Sequence, residues 1–196
     1  MNWWEWLVFV TGVAAVALTV KQHLLNWPIG IANSAALLVV AMQNRLYSDG
    51  GLQIFYIVLG LYGWWHWLYG NPAKRNALPV TRTPKVEAAV LVVVSAIAFV
   101  GLGALLAHVT DTDVPFYDAF PTVGSLAAQY LLTRKYLANW AVWIFLSNVP
   151  YVALYLYKDL PLLVALQPIY IALSIWGWVD WRRSMAQVRA EVTVAC

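Results

Sequence analysis

The sequence predicts an all-α integral membrane protein with seven transmembrane helices, in which two parallel triple-helix bundles are joined by a single helix. Three observations lead to this fold class. The chain has 196 residues, of which 62% are hydrophobic and 11% are charged, whereas about 25% of the residues in a soluble domain are charged. Seven segments are long and apolar enough to cross a bilayer, and one residue pattern occurs twice. Lipid must therefore cover most of the protein surface.

Each predicted span is an apolar run of about 20 residues, the length that crosses a bilayer as a helix. The runs cover residues 3–20, 24–42, 51–69, 86–109, 116–133, 138–157 and 160–181. The fifth run is the least apolar, because it contains Asp118 and Pro121. No positively charged residue precedes the first run, so we interpret it as a membrane span of the mature protein and not as a signal peptide.

The distribution of Lys and Arg predicts an N-terminus outside and a C-terminus inside. With this orientation ten of the twelve Lys and Arg residues fall in cytoplasmic segments, and only Arg45 and Lys158 fall in outer ones, as the positive-inside rule requires. The chain then divides into a first triple-helix bundle (1–70), a cytoplasmic loop (71–85), a linker helix (86–110), a second triple-helix bundle (111–184) and a cytoplasmic tail (185–196).

The repeated pattern relates the two bundles. Five residues recur after 114 positions, and the pair Asn26–Trp27 recurs after 113 positions as Asn139–Trp140. The five are Gln53, Tyr56, Gly63, Trp64 and Trp67, which recur as Gln167, Tyr170, Gly177, Trp178 and Trp181. Two fused triplets would be inverted relative to each other, so the single linking helix makes them parallel. Parallel repeats in a membrane protein are typical of transporters that bind their substrate between the repeats.

Stripes of polar and aromatic residues on four predicted spans mark the candidate binding site. Helical residues rotate by about 100° each, so positions three or four apart share a face. Lipid cannot satisfy amide, hydroxyl or carboxyl groups, so these faces must point into the bundle or into a water-filled cavity. The candidates are Gln53, Tyr56 and Trp64 in the third span, Asp118, Thr122, Ser125 and Gln129 in the fifth, Trp143, Ser147 and Asn148 in the sixth, and Gln167, Tyr170 and Trp178 in the seventh.

Several of these residues also have a purely structural interpretation. Gln and Asn side chains form hydrogen bonds between membrane helices without contacting any ligand. Trp residues near span ends usually lie at the membrane interface, and we expect this of Trp67 and Trp181. His66 and Asp180 hold matching positions at the cytoplasmic rim, where we expect solvated residues and not a proton relay.

The chemistry of the stripes favours a neutral or cationic solute with a flat ring and hydroxyl groups. No Lys or Arg lies at membrane depth to pair with an anion, whereas a cation on a Trp face gains about 0.5–2 kcal/mol. The sequence has no phosphate-binding loop, metal-ligand cluster or nucleophile–base pair, so we expect no cofactor and no enzyme. It also has no basic stripe for nucleic acid. A nucleoside-like or vitamin-like molecule fits best.

Four stretches are specific enough to suggest a family. They are NWPIGIAN at 26–33, QNRLYSDGGLQIFYIVLGLYGWWHW at 43–67, PFYDAFPTVGSLAAQYLLTRKYLANWAVWI at 115–144 and GWVDW at 177–181. Through them the chain resembles the PnuC-type vitamin transporters, whose best-known members carry nicotinamide riboside. The stretches run through both predicted bundles.

This resemblance implies a fold related to SWEET sugar transporters. It also implies import of nicotinamide riboside by facilitated diffusion across the bacterial inner membrane, made one-way by phosphorylation of the vitamin in the cytoplasm. A homo-oligomer in the lipid membrane, a trimer in family members, is implied as well. By position, Gln53, Trp64, Gln129 and the pair Ser147–Asn148 should line the site.

Three features depart from the family pattern. Ser147 and Asn148 are adjacent, Pro150 interrupts the sixth span, and Pro168 follows Gln167 in the seventh. Proline can unwind a membrane helix and free carbonyl groups for a ligand or a hinge. Thiamine, riboflavin and deoxynucleosides therefore stay open as alternative substrates. A membrane receptor or scaffold that binds without transporting is the alternative from another class.

Overall fold

The computed structural model describes residues 3–43, 47–70, 78–159 and 161–194, and these residues form seven helices. The helices are α1 (Trp3–Val20), α2 (Asn26–Gln43), α3 (Tyr47–Tyr69), α4 (Lys85–Val109), α5 (Pro115–Thr133), α6 (Asn139–Tyr157) and α7 (Pro161–Val194). The all-helical fold predicted from the sequence is confirmed. Arg45, Cys196 and residues 71–77 of the predicted cytoplasmic loop lie outside the described residues.

The helix bounds follow the predicted spans closely, with one large difference at the C-terminal end. Helix α7 continues to Val194, although the apolar run ends near Trp181. The residues after Trp181 are mainly Arg, Ala, Met, Gln and Glu, which favour a helix and include no Gly or Pro to end it.

Among the described residues, three helices are long and apolar enough to cross a membrane by length and composition. They contain Lys85–Val109, Asn139–Tyr157 and Leu163–Val188, while the apolar parts of α1 and α2 are shorter, at Trp6–Val20 and Asn26–Val40. Helices α3 and α5 carry most of the predicted polar stripes. A helix that turns one face to a polar cavity does not need to be apolar all round.

Six of the helices form a closed ring. Around it the order of packing is α1, α2, α3, α5, α6 and α7, and α7 packs against α1 again. Within the described residues α4 packs against α5 alone, outside the ring. The contact of α3 with α5 and that of α7 with α1 join the first three helices to the last three.

The ends of α1 and α5 repeat the same backbone turn. Gln22 and Lys135, which are 113 positions apart, both have left-handed backbones with φ of 54° and 57°. After them the His23 N–H donates to the Leu18 carbonyl over 2.9 Å, and the Tyr136 N–H donates to the Leu131 carbonyl over 3.0 Å. Both turns close their helix by the Schellman pattern. The sequence repeat is therefore also a repeat of local structure.

Four tryptophans form a buried layer at this end of the ring, which we call the tryptophan layer: Trp27, Trp67, Trp140 and Trp181. Trp27 meets Trp67 edge to face with ring centroids 5.2 Å apart, and the equivalent pair Trp140 and Trp181 meets at 5.3 Å. Trp67 and Trp181 lie 5.9 Å apart between the two pairs. Edge-to-face contacts of this kind stabilise aromatic clusters beyond the area that they bury.

Our expectation that Trp67 and Trp181 lie at the membrane interface was wrong. Trp67 is 3% exposed and Trp181 is 0% exposed. The Trp67 indole N–H donates to the Leu132 carbonyl over 3.1 Å, and the Trp181 N–H donates to the Thr19 carbonyl over 3.2 Å. Carbonyl groups in the last turn of a helix have no partner within that helix. The Leu132 and Thr19 carbonyls also accept the N–H groups of Lys135 and Gln22 over 2.9 Å, so each indole adds a second donor across the ring, and the Trp181 N–H lies equally close to the Val20 carbonyl.

Two glycines allow the layer to form. A Cβ atom on Gly63 would lie well inside 3.0 Å of the Trp27 ring, and one on Gly177 would lie equally close to the Trp140 ring. Both glycines belong to the repeated sequence pattern. Their recurrence is thus explained by the close approach of an indole to the backbone of α3 and of α7.

The segment that precedes α4 docks on the turn between α5 and α6. The Leu137 N–H donates to the Thr81 carbonyl over 3.0 Å, and the Lys135 Nζ donates to the Leu78 carbonyl over 2.7 Å. The same Nζ lies 4.6 Å from the centre of the Trp67 ring. Burial lowers the pKa of Lys135 to about 8, because a charged ammonium is poorly solvated there.

Candidate substrate-binding cavity

A cavity of about 390 Å³ lies inside the ring, lined by residues of α1, α2, α3, α5, α6 and α7. This volume is within the range of about 300–1,000 Å³ that small-molecule sites occupy. One end of the cavity rests on Trp27 and Trp140, and behind them Trp67 and Trp181 are buried. The tryptophan layer therefore closes the cavity at this end.

Nine of the thirteen predicted site residues are brought together in the cavity wall. They come from four helices that are distant in sequence, which supports the view that the stripes face inward. The nine are Gln53, Tyr56, Ser125, Gln129, Trp143, Ser147, Asn148, Gln167 and Tyr170.

The two aromatic candidates Trp64 and Trp178 lie outside the wall. On α3 the wall ends at Gly60, and Trp27 packs against Gly63 one turn further on. Trp64 therefore lies past the closed end of the cavity, where it is 37% exposed. Trp178 packs against the tryptophan layer. Helical spacing placed both on the right face but could not show the depth at which the cavity ends.

The other two candidates outside the wall, Asp118 and Thr122, belong to a polar cluster on α5. The Asp118 carboxylate accepts hydrogen bonds from the Lys158 ammonium over 2.5 Å and from the Thr112 hydroxyl over 2.6 Å. Thr122 donates to the Asp118 carbonyl over 2.9 Å, and its hydroxyl lies 3.3 Å from that of Tyr151. Asp118 is therefore an ion-pair partner that holds α5 to the end of α6.

A π-helical section explains how adjacent residues of α6 both reach the cavity. It spans Trp143–Asn148, and the Val149 N–H donates to the carbonyl of Ile144, five residues back. Pro150 has no N–H to donate to the Leu146 carbonyl, as an α-helix would require. A π-helical turn is wider than an α-helical turn, so both Ser147 and Asn148 can share a face with Trp143. Such sections are frequent at functional sites.

Close packing of α5 against this section holds it in place. A Cβ atom on Gly124 would lie well inside 3.0 Å of the Leu146 carbonyl group. Only glycine allows the two backbones to approach so closely. Ser125, the next residue of α5, lines the same cavity as Ser147 and Asn148.

Several buried polar atoms of the wall have no hydrogen-bond partner within the described residues. They are the Asn26 Nδ2, the indole nitrogens of Trp27 and Trp140, and the Gln167 Oε1. Buried polar groups in proteins are nearly always hydrogen-bonded, so each of these needs an explanation. Asn26, Trp27 and Trp140 were not among the predicted site residues. Their signal was the repeated Asn-Trp pair, which we used to align the two bundles and to suggest the family but not to select site residues.

The wall contains no charged side chain among the described residues. Its polar groups are amides, hydroxyls and indoles. No group of three or more His, Cys, Asp or Glu residues in the described part of the chain could hold a metal ion. The arrangement can therefore recognise an uncharged polar molecule or a cation that stacks on aromatic rings.

A ring of membrane helices around such a polar cavity defines a membrane transporter of small molecules. The chain belongs to the nicotinamide mononucleotide transporter family, whose family model matches residues 2–183. This confirms the resemblance seen in the sequence. The chain is accordingly an integral membrane protein and a transporter, not an enzyme.

Individual relatives agree with this assignment. The chain is 24% identical to the nicotinamide riboside transporter PnuC of Escherichia coli, over 76% of this chain and 72% of the relative. It is 26% identical to PnuC of Neisseria mucosa, over 93% and 73%. It is also 26% identical to the riboflavin/roseoflavin transporter RibM of Streptomyces davaonensis, over 91% and 84%.

A solved structure supports the fold. A crystal structure of the vitamin B3 transporter PnuC matches with a TM-score of 0.74 and 22% sequence identity, covering 94% of this chain and 83% of that chain. At this identity the likeness concerns the fold alone.

Proposed function

We propose that this chain imports nicotinamide riboside by facilitated diffusion, and that phosphorylation of the vitamin in the cytoplasm makes uptake one-way. The observation that carries the proposal is the cavity wall, which offers amides, hydroxyls and aromatic rings and no charged side chain in the described residues. Two relatives that transport nicotinamide riboside by name support the choice of substrate.

Nicotinamide riboside has three features that match the wall. Its flat cationic ring can stack on Trp143, where a cation–π contact contributes about 0.5–2 kcal/mol. Its carboxamide and its ribose hydroxyls both donate and accept hydrogen bonds, as do Gln53, Gln129 and Asn148. An anionic phosphate would find no cation in the wall, so the proposal favours the nucleoside over the nucleotide.

We further propose alternating access by two parallel triple-helix bundles, at 1–70 and 111–184, with the N-terminus outside. The seams between the bundles are the contact of α3 with α5 and that of α7 with α1. With this orientation the tryptophan layer lies at the cytoplasmic end. Release to the cytoplasm then requires Trp67 and Trp181 to separate and to break their bonds to the opposite bundle.

Uptake into proteoliposomes tests the mechanism. Uptake of labelled nicotinamide riboside should proceed without an ion gradient, and unlabelled substrate inside should accelerate it by counterflow. A strict requirement for a proton or sodium gradient would refute uniport. Binding without counterflow would favour a receptor instead. Val92→Ala, on the exposed face of α4 outside the ring, is a suitable reconstitution control.

Riboflavin is the second candidate substrate. It is favoured by the similarity to RibM, which extends over 91% of this chain. Unlike nicotinamide riboside, riboflavin is uncharged, but it too has a flat ring and several hydroxyl groups. Calorimetric titration with nicotinamide riboside, riboflavin and thiamine separates the candidates, and binding of riboflavin alone would overturn our choice of substrate.

We also propose that the protein is a homo-oligomer, a trimer. The support is helix α4, which packs on α5 only within the described residues and leaves Val86, Val92 and Ile97 largely exposed. Lipid can cover this face, and so can a second copy. Native mass spectrometry of the detergent-extracted protein tests the trimer, and a purely monomeric spectrum would contradict it.

A further inference from the structure

Equivalent positions of the two repeats differ at one pair of residues in the cavity. The Tyr56 hydroxyl donates to the Ser125 Oγ over 2.6 Å, which joins α3 to α5. The repeat relates Tyr56 to Tyr170 by 114 positions and Ser125 to Gly12 by 113 positions. All four residues line the cavity. The second seam, between α7 and α1, thus has the tyrosine but not the serine.

In the second pair the tyrosine hydroxyl also faces the equivalent position of the neighbouring helix. A Cβ atom built on Gly12 would lie 2.9 Å from the Tyr170 hydroxyl oxygen, so this hydroxyl already occupies the position facing residue 12. The same Cβ atom would lie 3.8 Å from the Nδ2 of Asn33, which already donates to the Val8 carbonyl over 2.8 Å and to the Thr11 hydroxyl over 2.7 Å. Within the described residues the Tyr170 hydroxyl has no hydrogen-bond partner.

We infer that Tyr170 is a specificity-determining residue, whose hydroxyl binds a hydroxyl or carboxamide group of the substrate, whereas Tyr56 ties α3 to α5. The inference rests on the proposed function, because it needs a substrate in this cavity. The same residue type thus has two roles. The Tyr56 hydroxyl uses its single proton on Ser125, while the Tyr170 hydroxyl keeps its donor proton for the ligand.

The missing serine suggests a direct test. Gly12→Ser supplies the Tyr170 hydroxyl with the partner that Tyr56 has, and so removes it from the substrate. Gly12→Ala is the matched control, because it adds the same Cβ atom without a hydroxyl. Tyr170→Phe removes the hydroxyl and keeps the ring. All variants are made in the full-length chain and purified in detergent.

Calorimetric titration with nicotinamide riboside is the measurement, with riboflavin as the probe if the wild type binds only that. Loss of one neutral hydrogen bond weakens binding about tenfold, and we expect this of Tyr170→Phe and of Gly12→Ser. Gly12→Ala should weaken binding less than Gly12→Ser. In the double variant that combines Gly12→Ser with Tyr170→Phe, the serine has no tyrosine hydroxyl to engage, so its affinity should equal that of Tyr170→Phe.

Tyr56→Phe gives the opposite pattern. It should weaken binding less than Tyr170→Phe does and lower the thermal unfolding midpoint more, because it breaks the bond between α3 and α5. Wild-type affinity in Tyr170→Phe would overturn the inference, and so would additive losses in the double variant. If the wild type binds neither vitamin, the proposed function and the inference both fail; if it binds and Tyr170→Phe changes nothing, only the inference fails.

Discussion

Gly63→Ala is expected to destabilise the protein through the tryptophan layer. The added Cβ atom would lie well inside 3.0 Å of the Trp27 ring, whereas carbon atoms in favourable contact lie about 3.5–4.0 Å apart. The indole would have to move by about 1 Å or more. Movement toward Trp67 is blocked, because Trp27 packs edge to face on that ring, and movement toward the cavity would break this contact.

The expected magnitude follows from two opposing effects. Overpacking a well-packed interior costs about 1–3 kcal/mol and occasionally more, and a rigid indole places this site at the upper end. Alanine favours a helix over glycine by about 1 kcal/mol. The net loss should therefore be about 2 kcal/mol. For a chain of this size that lowers the unfolding midpoint by roughly 4–8 °C.

A glycine elsewhere provides the control. Gly101 lies on α4 with nothing within 4 Å of its built Cβ atom, so Gly101→Ala should be neutral or slightly stabilising. Gly177→Ala makes the equivalent clash with Trp140 and should match Gly63→Ala. Thermal unfolding in nanodiscs, followed by tryptophan fluorescence, measures all three variants. Adding Trp27→Phe to Gly63→Ala should restore part of the loss.

The reasoning is wrong if Gly63→Ala unfolds at the same temperature as Gly101→Ala. A large difference between Gly63→Ala and Gly177→Ala would show instead that the two halves of the layer are not equivalent. Reduced counterflow in a variant that stays folded would indicate that the layer also controls transport.

Three further predictions concern the layer, the docked segment and the cavity. Trp181→Phe removes the indole N–H that donates to the Thr19 and Val20 carbonyls. Thr19 keeps its bond from the Gln22 N–H, but the buried Val20 carbonyl loses this donor, so stability should fall by about 1–3 kcal/mol, measured by thermal unfolding; an unchanged midpoint would contradict this. Burial lowers the pKa of Lys135 from 10.5 to about 8. Between these pH values the unfolded chain binds more protons than the folded chain, so the free energy of unfolding should rise with pH. Lys135→Met should show a smaller rise. Gln53→Ala and Gln129→Ala should each weaken substrate binding by about 1–3 kcal/mol in calorimetry if a buried partner loses its bond, and wild-type affinity in both would make them structural residues.

Most of the fold could be predicted because it depends on local properties of the chain. Apolar runs placed the helices, and the helix ends agree to within a few residues except at α3, which begins at Tyr47, and α7, which extends to Val194. The repeat aligned Trp27 with Trp140 and Gly63 with Gly177, and their contacts are equivalent in the structure. Length, hydropathy and residue spacing carry this information directly.

The candidate site could be predicted only in part. Helical spacing selects a face, and it brought nine residues to one wall. Spacing does not select depth, so Trp64 and Trp178 were expected in the cavity although it ends before them. It also does not show partners, so Asp118 was expected to line a pathway and instead pairs with Lys158.

The sequence by itself determined the membrane location, the seven helices and the family, because each depends on composition and on motifs read along one chain. Only the tertiary structure decided which tryptophans are buried and which polar atoms lack partners. It also decided that Tyr56 meets a serine while Tyr170 meets a glycine. These outcomes depend on distances between residues of different helices, such as Tyr56 and Ser125, and such distances are fixed by packing around the ring and by the hydrogen bonds that cross it.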